Sequence, residues 1–293
     1  MNNRNNNNQE KAETPLSLAW REFKKNKLAV LGLVIVILVA LSAIFAPVIT
    51  PYDPAQTNIL KTEEPPSAEH WLGTDKVGRD IYTRLIYGGR VSIMVGLISM
   101  IISVSIGTVM GLLAGYFGGL VDTIIARLID IFRSIPFLII AITIASIWGP
   151  GLYRLMVIIG VLSWTGVARL VRGKVFSLRE REFIQAARAS GGNDLWIMFK
   201  HLLPNSMAPI IVNATLRVAY SIISEAGLTF LGLGVQPPTA SWGSMLKSAQ
   251  SIHVLGSMPW YWIPPGVMVL ITVMGINFVG DGLRDSLDPR QYE

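Results

Sequence analysis

The chain of 293 residues has no cysteine, which excludes disulfides, thiolate metal sites and cysteine nucleophiles and leaves the compartment open. Charge is scarce as well. Asp, Glu, Lys and Arg make up 15% of the residues, against about a quarter in a soluble domain that must cover its surface. The three histidines, His70, His201 and His253, are too far apart for metal-ligand spacing and are expected as polar loop or interface residues. The phosphate-cradling pattern G-x-x-x-x-G-K-[ST] is missing too, since Gly173-Lys174 lacks the upstream glycine. The isolated chain is therefore expected not to hydrolyse ATP and to bind no cofactor of its own.

What the sequence does have is apolar length. Hydrophobic residues make up 51% of it and the mean hydropathy is +0.48, which points to a bilayer as solvent. A net charge of +6 would suit nucleic acid only on a basic face of a soluble domain, so nucleic acid is not expected as a partner. Long, predominantly apolar runs predict spanning helices at Leu28 to Ala46, which has no charge at all, and at Val91 to Gly115, Ile124 to Trp148, Leu155 to Val171, Met207 to Leu233 and Ile263 to Gly280. About 20 residues at a rise of 1.5 Å cross a hydrocarbon core of about 30 Å. The first run is longer than a signal-peptide core and lacks a good cleavage site, so it reads as an uncleaved span.

The expected architecture is all-α and integral to the membrane, with six spans. Residues 1–27 form a tail and approach helix, 28–46 the first span, 47–90 an extracytoplasmic loop, 91–284 a core of five spans, and 285–293 a terminal tail. Met1 to Pro15 is Asn-rich and reads as disordered. Six spans put both termini on one side, where about 17 of the 25 Lys and Arg residues then fall, against about 7 on the other; the excess marks the cytoplasm.

Within the third span, Asp122, Arg127, Asp130 and Arg133 precede the apolar run and read as intrahelical pairs or as a substrate site, and Pro136 predicts a kink. Gly107, Gly111 and Gly115 in the second span form small-xxx-small steps that predict close packing against a partner helix or subunit. In the fifth span, Arg217 and Glu225 are ionisable residues eight apart. They are candidates to line a pathway, to pair with a partner subunit or, for Glu225, to sit at the outer interface. The outer loop from Gly234 to Trp262 is rich in Trp, Pro and Gly, with Lys247 as its sole charge besides the histidine. Trp242, Trp260, Tyr261 and Trp262 fit an interfacial belt, a gate or a receptor contact.

The longest cytoplasmic connection, at 173–206, reads as two helices around a turn. Val175 to Ser190 is expected to be one amphipathic helix with Phe176, Phe183, Ala187 and Ile184 on a face; Gly191 and Gly192 end it, Asn193 or Asp194 caps the next, and Pro204 closes that one. An amphipathic pair at a membrane surface needs a partner.

At these residues the sequence resembles the membrane components of bacterial binding-protein-dependent ABC importers. Their cytoplasmic signature is EAA, three residues, Gly, nine residues, then I-x-L-P. Gln185, Ala186, Ala187, Gly191, Leu203 and Pro204 occupy it in register, with Gln185 for the usual Glu and His201 for the usual Ile. Three further stretches resemble the C-type permease of the dipeptide/oligopeptide/nickel group: His70 to Ser92, Phe230 to Leu246, and Gly280 to Arg290. The resemblance implies an ABC importer permease fold in a bacterial plasma membrane, with Glu182, Gln185, Ala186, Ala187, Gly191, Gly192 and Pro204 contacting an ATPase. It implies as partners a homologous B-type permease, two ATPase subunits that use ATP and Mg, and an extracytoplasmic substrate-binding protein. Peptides are its expected cargo. An ion-coupled secondary transporter is the rival, although no repeated halves are visible. A membrane hydrolase would need a convergent nucleophile and base, which Arg217 and Glu225 do not supply.

Overall fold

The computed structural model describes residues 15–287; the Asn-rich start and the last six residues lie outside these. Among the described residues the chain is helical, with one isolated bridge between Thr74 and Asp80 in place of any strand. The amphipathic approach forms α1 (Pro15–Lys25), whose Trp20 and Phe23 rings stack 5.7 Å apart. Asn26 then breaks and restarts the chain: its side-chain oxygen accepts from the Leu28 and Ala29 N–H groups and caps α2 (Lys27–Ile44). A short turn, α3 (Ala46–Ile49), follows.

The second span is far longer than its apolar run suggests. α4 covers Ile81–Phe117, 37 residues or about 55 Å. It starts ten residues before Val91 because the Asp80 carboxylate accepts from the Thr83 N–H at 2.7 Å, and because Arg84, Gly88 and Gly89 are buried rather than looped out. The boundary expected at residue 90 therefore lies inside a helix.

The third span is broken rather than kinked. α5 (Gly119–Ser134) and α6 (Phe137–Trp148) meet at 84° across Ile135 and Pro136. Pro136 has no N–H to continue the ladder and holds the preceding residue in extended backbone. α7 (Leu152–Arg179) returns, followed by α8 (Glu182–Ala189) and α9 (Asp194–Ile197). A π-helical turn at Met198–Leu202 joins α9 to α10 (Leu203–Phe230). Past the loop at 231–241 come α11 (Trp242–Leu246), α12 (Ile252–Ser257) and α13 (Pro259–Ser286). Five helical stretches are long and apolar enough to cross a bilayer, and the bent α5–α6 pair supplies the sixth crossing when counted as one span.

α4 and α7 form the spine of this bundle. Gly107, Gly111 and Gly115 fall one turn apart and face Val167, Val171 and Val175. A Cβ on the three glycines would lie 2.5, 2.6 and 2.7 Å from those valine Cβ atoms. The close approach expected from the small-xxx-small steps is thus made within the chain. Gly32 of α2 and Gly275 of α13 repeat the device, each opposite the other's carbonyl. At the end away from α8, the Arg84 guanidinium donates to the carbonyls of Pro54 at 2.8 Å and Pro238 at 3.2 Å, joining two loops far apart in sequence.

Replacing Gly111 with leucine forces the α4–α7 seam apart. Overpacking of this kind costs about 1–3 kcal/mol, so the purified protein is expected to melt several degrees lower, whereas Gly227→Leu, where a Cβ meets nothing within 4 Å, should be neutral. Equal melting temperatures for the two variants would refute the seam.

Candidate functional site

The loop singled out by its sequence sits where α4 and α7 end together. The single helix expected over Val175 to Ser190 is two: α7 runs on to Arg179, Arg181 adopts extended backbone, and α8 begins at Glu182. The break splits the expected apolar face. Phe176 stays with α7, flanked by the guanidinium groups of Arg172 and Arg179 at 5.1 and 4.5 Å. Ile184 is fully buried against Tyr116, Val175, Ile197, Met198 and Leu202, and Ala187 packs partly beside it. Phe183 faces outward.

α8 ends as the glycines require. Gly191 takes φ +82°, a conformation that costs an ordinary side chain about 1–2 kcal/mol. The Gly191 N–H donates to Arg188 O at 2.9 Å and the Gly192 N–H to Ala187 O at 3.0 Å. Asn193 then caps α9, its side chain accepting from the Trp196 N–H at 2.7 Å. The Tyr116 hydroxyl donates to Asp194 Oδ1 at 2.6 Å while Arg188 lies over its ring, so the end of α4 is fastened to both loop helices. Arg172 makes a two-toothed ion pair with Asp122, holding α5 to α7 nearby.

Pro204 does not close the second loop helix. Residues 194–230 run on as one helical stretch, with Pro204 in its first turn after the π-helical segment. In that segment the Leu203 N–H reaches back to Met198 O, and the extra residue in the turn relieves the backbone that a proline ring disturbs. His201, in the place of the usual Ile, packs its ring edge-on against Trp196 at 4.6 Å.

Glu182, Gln185, Ala186 and Gly191 are exposed together on α8 and its turn, beside the basic Arg181 and Arg188. Leu195 and Phe199 are 64% and 59% exposed, and Phe183 and Trp196 nearly half exposed, although they belong to a polar loop. The loop is thus anchored on one side by Ile184 and open on the other as an apolar surface rimmed by charge. Leu195, Trp196 and Phe199, at i, i+1 and i+4, share an ordinary helical face, and the sequence reading did not follow that face past Asp194.

The two intramembrane charges do not meet. Eight residues along a helix separate them by about 12 Å, and they turn to different neighbours. Glu225 is fully buried, accepting from Ser92 Oγ at 3.0 Å, Thr229 Oγ1 at 2.9 Å and Ser241 Oγ at 2.8 Å. Ser92 Oγ also accepts the Trp242 N–H, and the Trp242 indole donates to Leu85 O at 3.0 Å. One carboxylate therefore ties α4, α10 and α11 together. Trp242, an expected belt residue, is entirely inside this knot. Arg217 instead points at the α5–α6 break, its guanidinium occupying the space left by Gly166 of α7.

Fold and loop together define a polytopic helical membrane protein with an exposed apolar surface, rimmed by charge, at one end. The family model described as the inner membrane component of binding-protein-dependent transport systems matches residues 107–292, and that of the N-terminal transmembrane domain of oligopeptide transport permease C matches residues 14–66. The chain is 46% identical over 279 residues to the dipeptide transport system permease protein of Alkalihalophilus pseudofirmus, covering 95% of this chain and 91% of the relative. It is 40% identical to the Bacillus subtilis oligopeptide transport system permease, covering 93% and 88%, and 41% identical to the glutathione transport system permease of Pectobacterium atrosepticum, covering 94% and 92%. Among solved structures, a chain of the inward-facing methionine ABC transporter MetNI superposes with a TM-score of 0.56 at 23% identity, over 70% of this chain and 97% of that one, which supports the fold. The chain belongs to the binding-protein-dependent transport system inner membrane components, the permease subunits of ABC importers. No comparison supports the ion-coupled rival.

Removing the Glu225 carboxylate leaves three buried hydroxyls without their acceptor, at about 2–4 kcal/mol. Glu225→Ala is expected to lower the melting temperature of the purified transporter and to open residues 231–241 to protease, with Glu225→Gln milder. Wild-type protease resistance in Glu225→Ala would show that the knot does not hold the loop.

Proposed function

We propose that this permease imports peptides, forming the pathway with a homologous second permease and taking its energy from two ATPase subunits, one of which docks on α8. The observation that carries the reading is the surface around α8: Ile184 is buried in the bundle while Phe183, Leu195, Trp196 and Phe199 stand exposed among Arg181, Glu182, Gln185 and Arg188. Aromatic residues with an arginine rim are what a protein interface selects. The peptide cargo is supported by the dipeptide and oligopeptide relatives. An extracytoplasmic receptor delivering it to the loops at 50–80 and 231–258 follows from the family's dependence on a binding protein.

ATP, with Mg, is consumed by the partner subunits. Their closure displaces α8 together with α9, because the tight C-cap turn joins the two, and the Tyr116–Asp194 bond passes the motion on to α4. The displacement passes through Ile184 to the ends of α4 and α7, and through α9 into the continuous stretch 194–230, rocking the helices between two access states. In this scheme both termini are cytoplasmic, as the distribution of Lys and Arg requires.

Gly191 separates docking from folding, since a Cβ there meets nothing within 4 Å and the cost lies in its φ alone. In the assembled transporter, Gly191→Val is expected to retain ATP hydrolysis while uptake falls about tenfold or more. Gly191→Asn, which tolerates the left-handed conformation, should keep most coupling. Full uptake in Gly191→Val would refute docking through this turn.

The absence of cysteine allows orientation to be read directly. A membrane-impermeant maleimide on intact spheroplasts is expected to label Thr239→Cys and to leave Ser190→Cys untouched until lysis, both positions being exposed. The opposite pattern would invert the topology.

A further inference from the structure

At the α5–α6 break the bundle holds a cavity of about 310 Å³. Its walls include Arg133, Pro136, Phe137, Ser163, Arg217 and Tyr220. Ser163 lies near the middle of α7 and Arg217 near the middle of α10, so the cavity sits at mid-height of the bundle.

Three features give it a sign. Two arginines face it, and among the described residues neither has a carboxylate within ion-pairing distance, whereas the buried Arg84 and the partly buried Arg172 are each within 4 Å of an aspartate. Arg217 is half-buried, held by a cation–π contact with Tyr220 at 5.6 Å and a weak hydrogen bond to Asn213 at 3.5 Å. Second, Ser163 Oγ is a buried hydroxyl, 5% exposed, with no hydrogen-bond partner in the structure. Several buried polar atoms among the described residues share this state, and Ser163 is the one of them that lines the cavity. Third, α6 begins here on Pro136 without a side-chain cap, so the positive end of a twelve-residue helix opens beside the arginines. Arg133 is exposed and Arg217 half-buried; their like charges repel across the cavity, and an anion between them relieves that repulsion while using the spare donors.

We propose that this cavity binds the carboxylate of the transported molecule, which for a peptide is its C-terminal carboxylate, during passage through the permease. This rests on the importer reading above and names the chemical group that the pathway recognises. Arg217 supplies the planar donor fork, Arg133 a second cation, and Ser163 the remaining hydroxyl donor; Gly166 leaves the room that the Arg217 guanidinium needs. Recognition of this group suits a carrier of varied peptides, because every unmodified peptide ends in the same carboxylate whatever its side chains.

The test compares uptake of a free-acid tripeptide with uptake of its C-terminal amide by the complete transporter, each expressed relative to wild type so that receptor preference cancels. Arg217→Gln and Arg133→Gln are expected to lower uptake of the acid about tenfold or more and uptake of the amide less than twofold, with Arg217→Lys, which keeps the charge but not the fork, restoring part of the acid's uptake and the level of assembled complex unchanged. Equal losses for the two peptides would assign the arginines to packing or to a carboxylate of the partner permease and overturn the proposal; so would unchanged uptake. Should the receptor deliver no amide, a tripeptide carrying a photoreactive benzophenone on its C-terminal residue decides: adducts within 162–166 or at Tyr220 that vanish in Arg217→Gln support the site, and adducts elsewhere alone refute it. Wild-type transporter that imports no peptide would sink the importer reading itself, whereas peptide import insensitive to these variants removes only the carboxylate site.

Discussion

The structure hangs on the contact between α4 and α7. Glycines at 107, 111 and 115 meet valines at 167, 171 and 175 in step, so the two helices run in the same direction with their backbones nearly touching. In a bilayer, where lipid tails offer no hydrophobic drive for helices to associate, such shape-matched contact is what holds them. Parallel neighbours have a topological consequence: the chain must cross back between them, and α5–α6 is that crossing. The seam also brings Tyr116 and Val175 side by side at its end, and these two form the floor on which Ile184 seats α8.

The bundle treats its two intramembrane charges in opposite ways. Glu225 is surrounded by three hydroxyl donors and closed off, which turns a costly buried group into a fastener between α4, α10 and α11. Arg217 has a ring face, one long contact to Asn213 and a cavity in front of it. A charge that the protein has already satisfied can only hold structure. One left short of partners beside open space remains free to bind.

Much of this was legible in the sequence, and the failures are instructive. The spans, the Gly191 turn and the glycine seam follow from local rules of length, φ and residue size. The knot at Glu225 does not, because Ser92 lies 133 residues away and Ser241 sixteen, and no periodicity connects hydroxyls across helices. Pro136 announced a disturbance, but its size depends on α5 being held by Arg172 to Asp122 while α6 packs elsewhere in the bundle. Pro204 misled because the stop rule assumes an α-helical ladder, whereas the π-helical turn before it lets the helix continue.

These parts combine into a mechanical relation between the α8 loop and the cavity at the α5–α6 break. Two rigid elements leave the α8 platform: α7, locked to α4 along the seam, and the continuous stretch 194–230. Both reach the cavity at the α5–α6 break, α7 through Ser163 to Gly166 and α10 through Arg217 and Tyr220. The third wall, the break itself, belongs to neither and is the least regular backbone in the bundle. A displacement of α8 that moves α7 and α10 unequally must therefore change the spacing of the cavity's donors. On the proposed reading, binding there and docking at α8 are coupled by geometry, since a ligand that prefers one spacing also biases the position of α8.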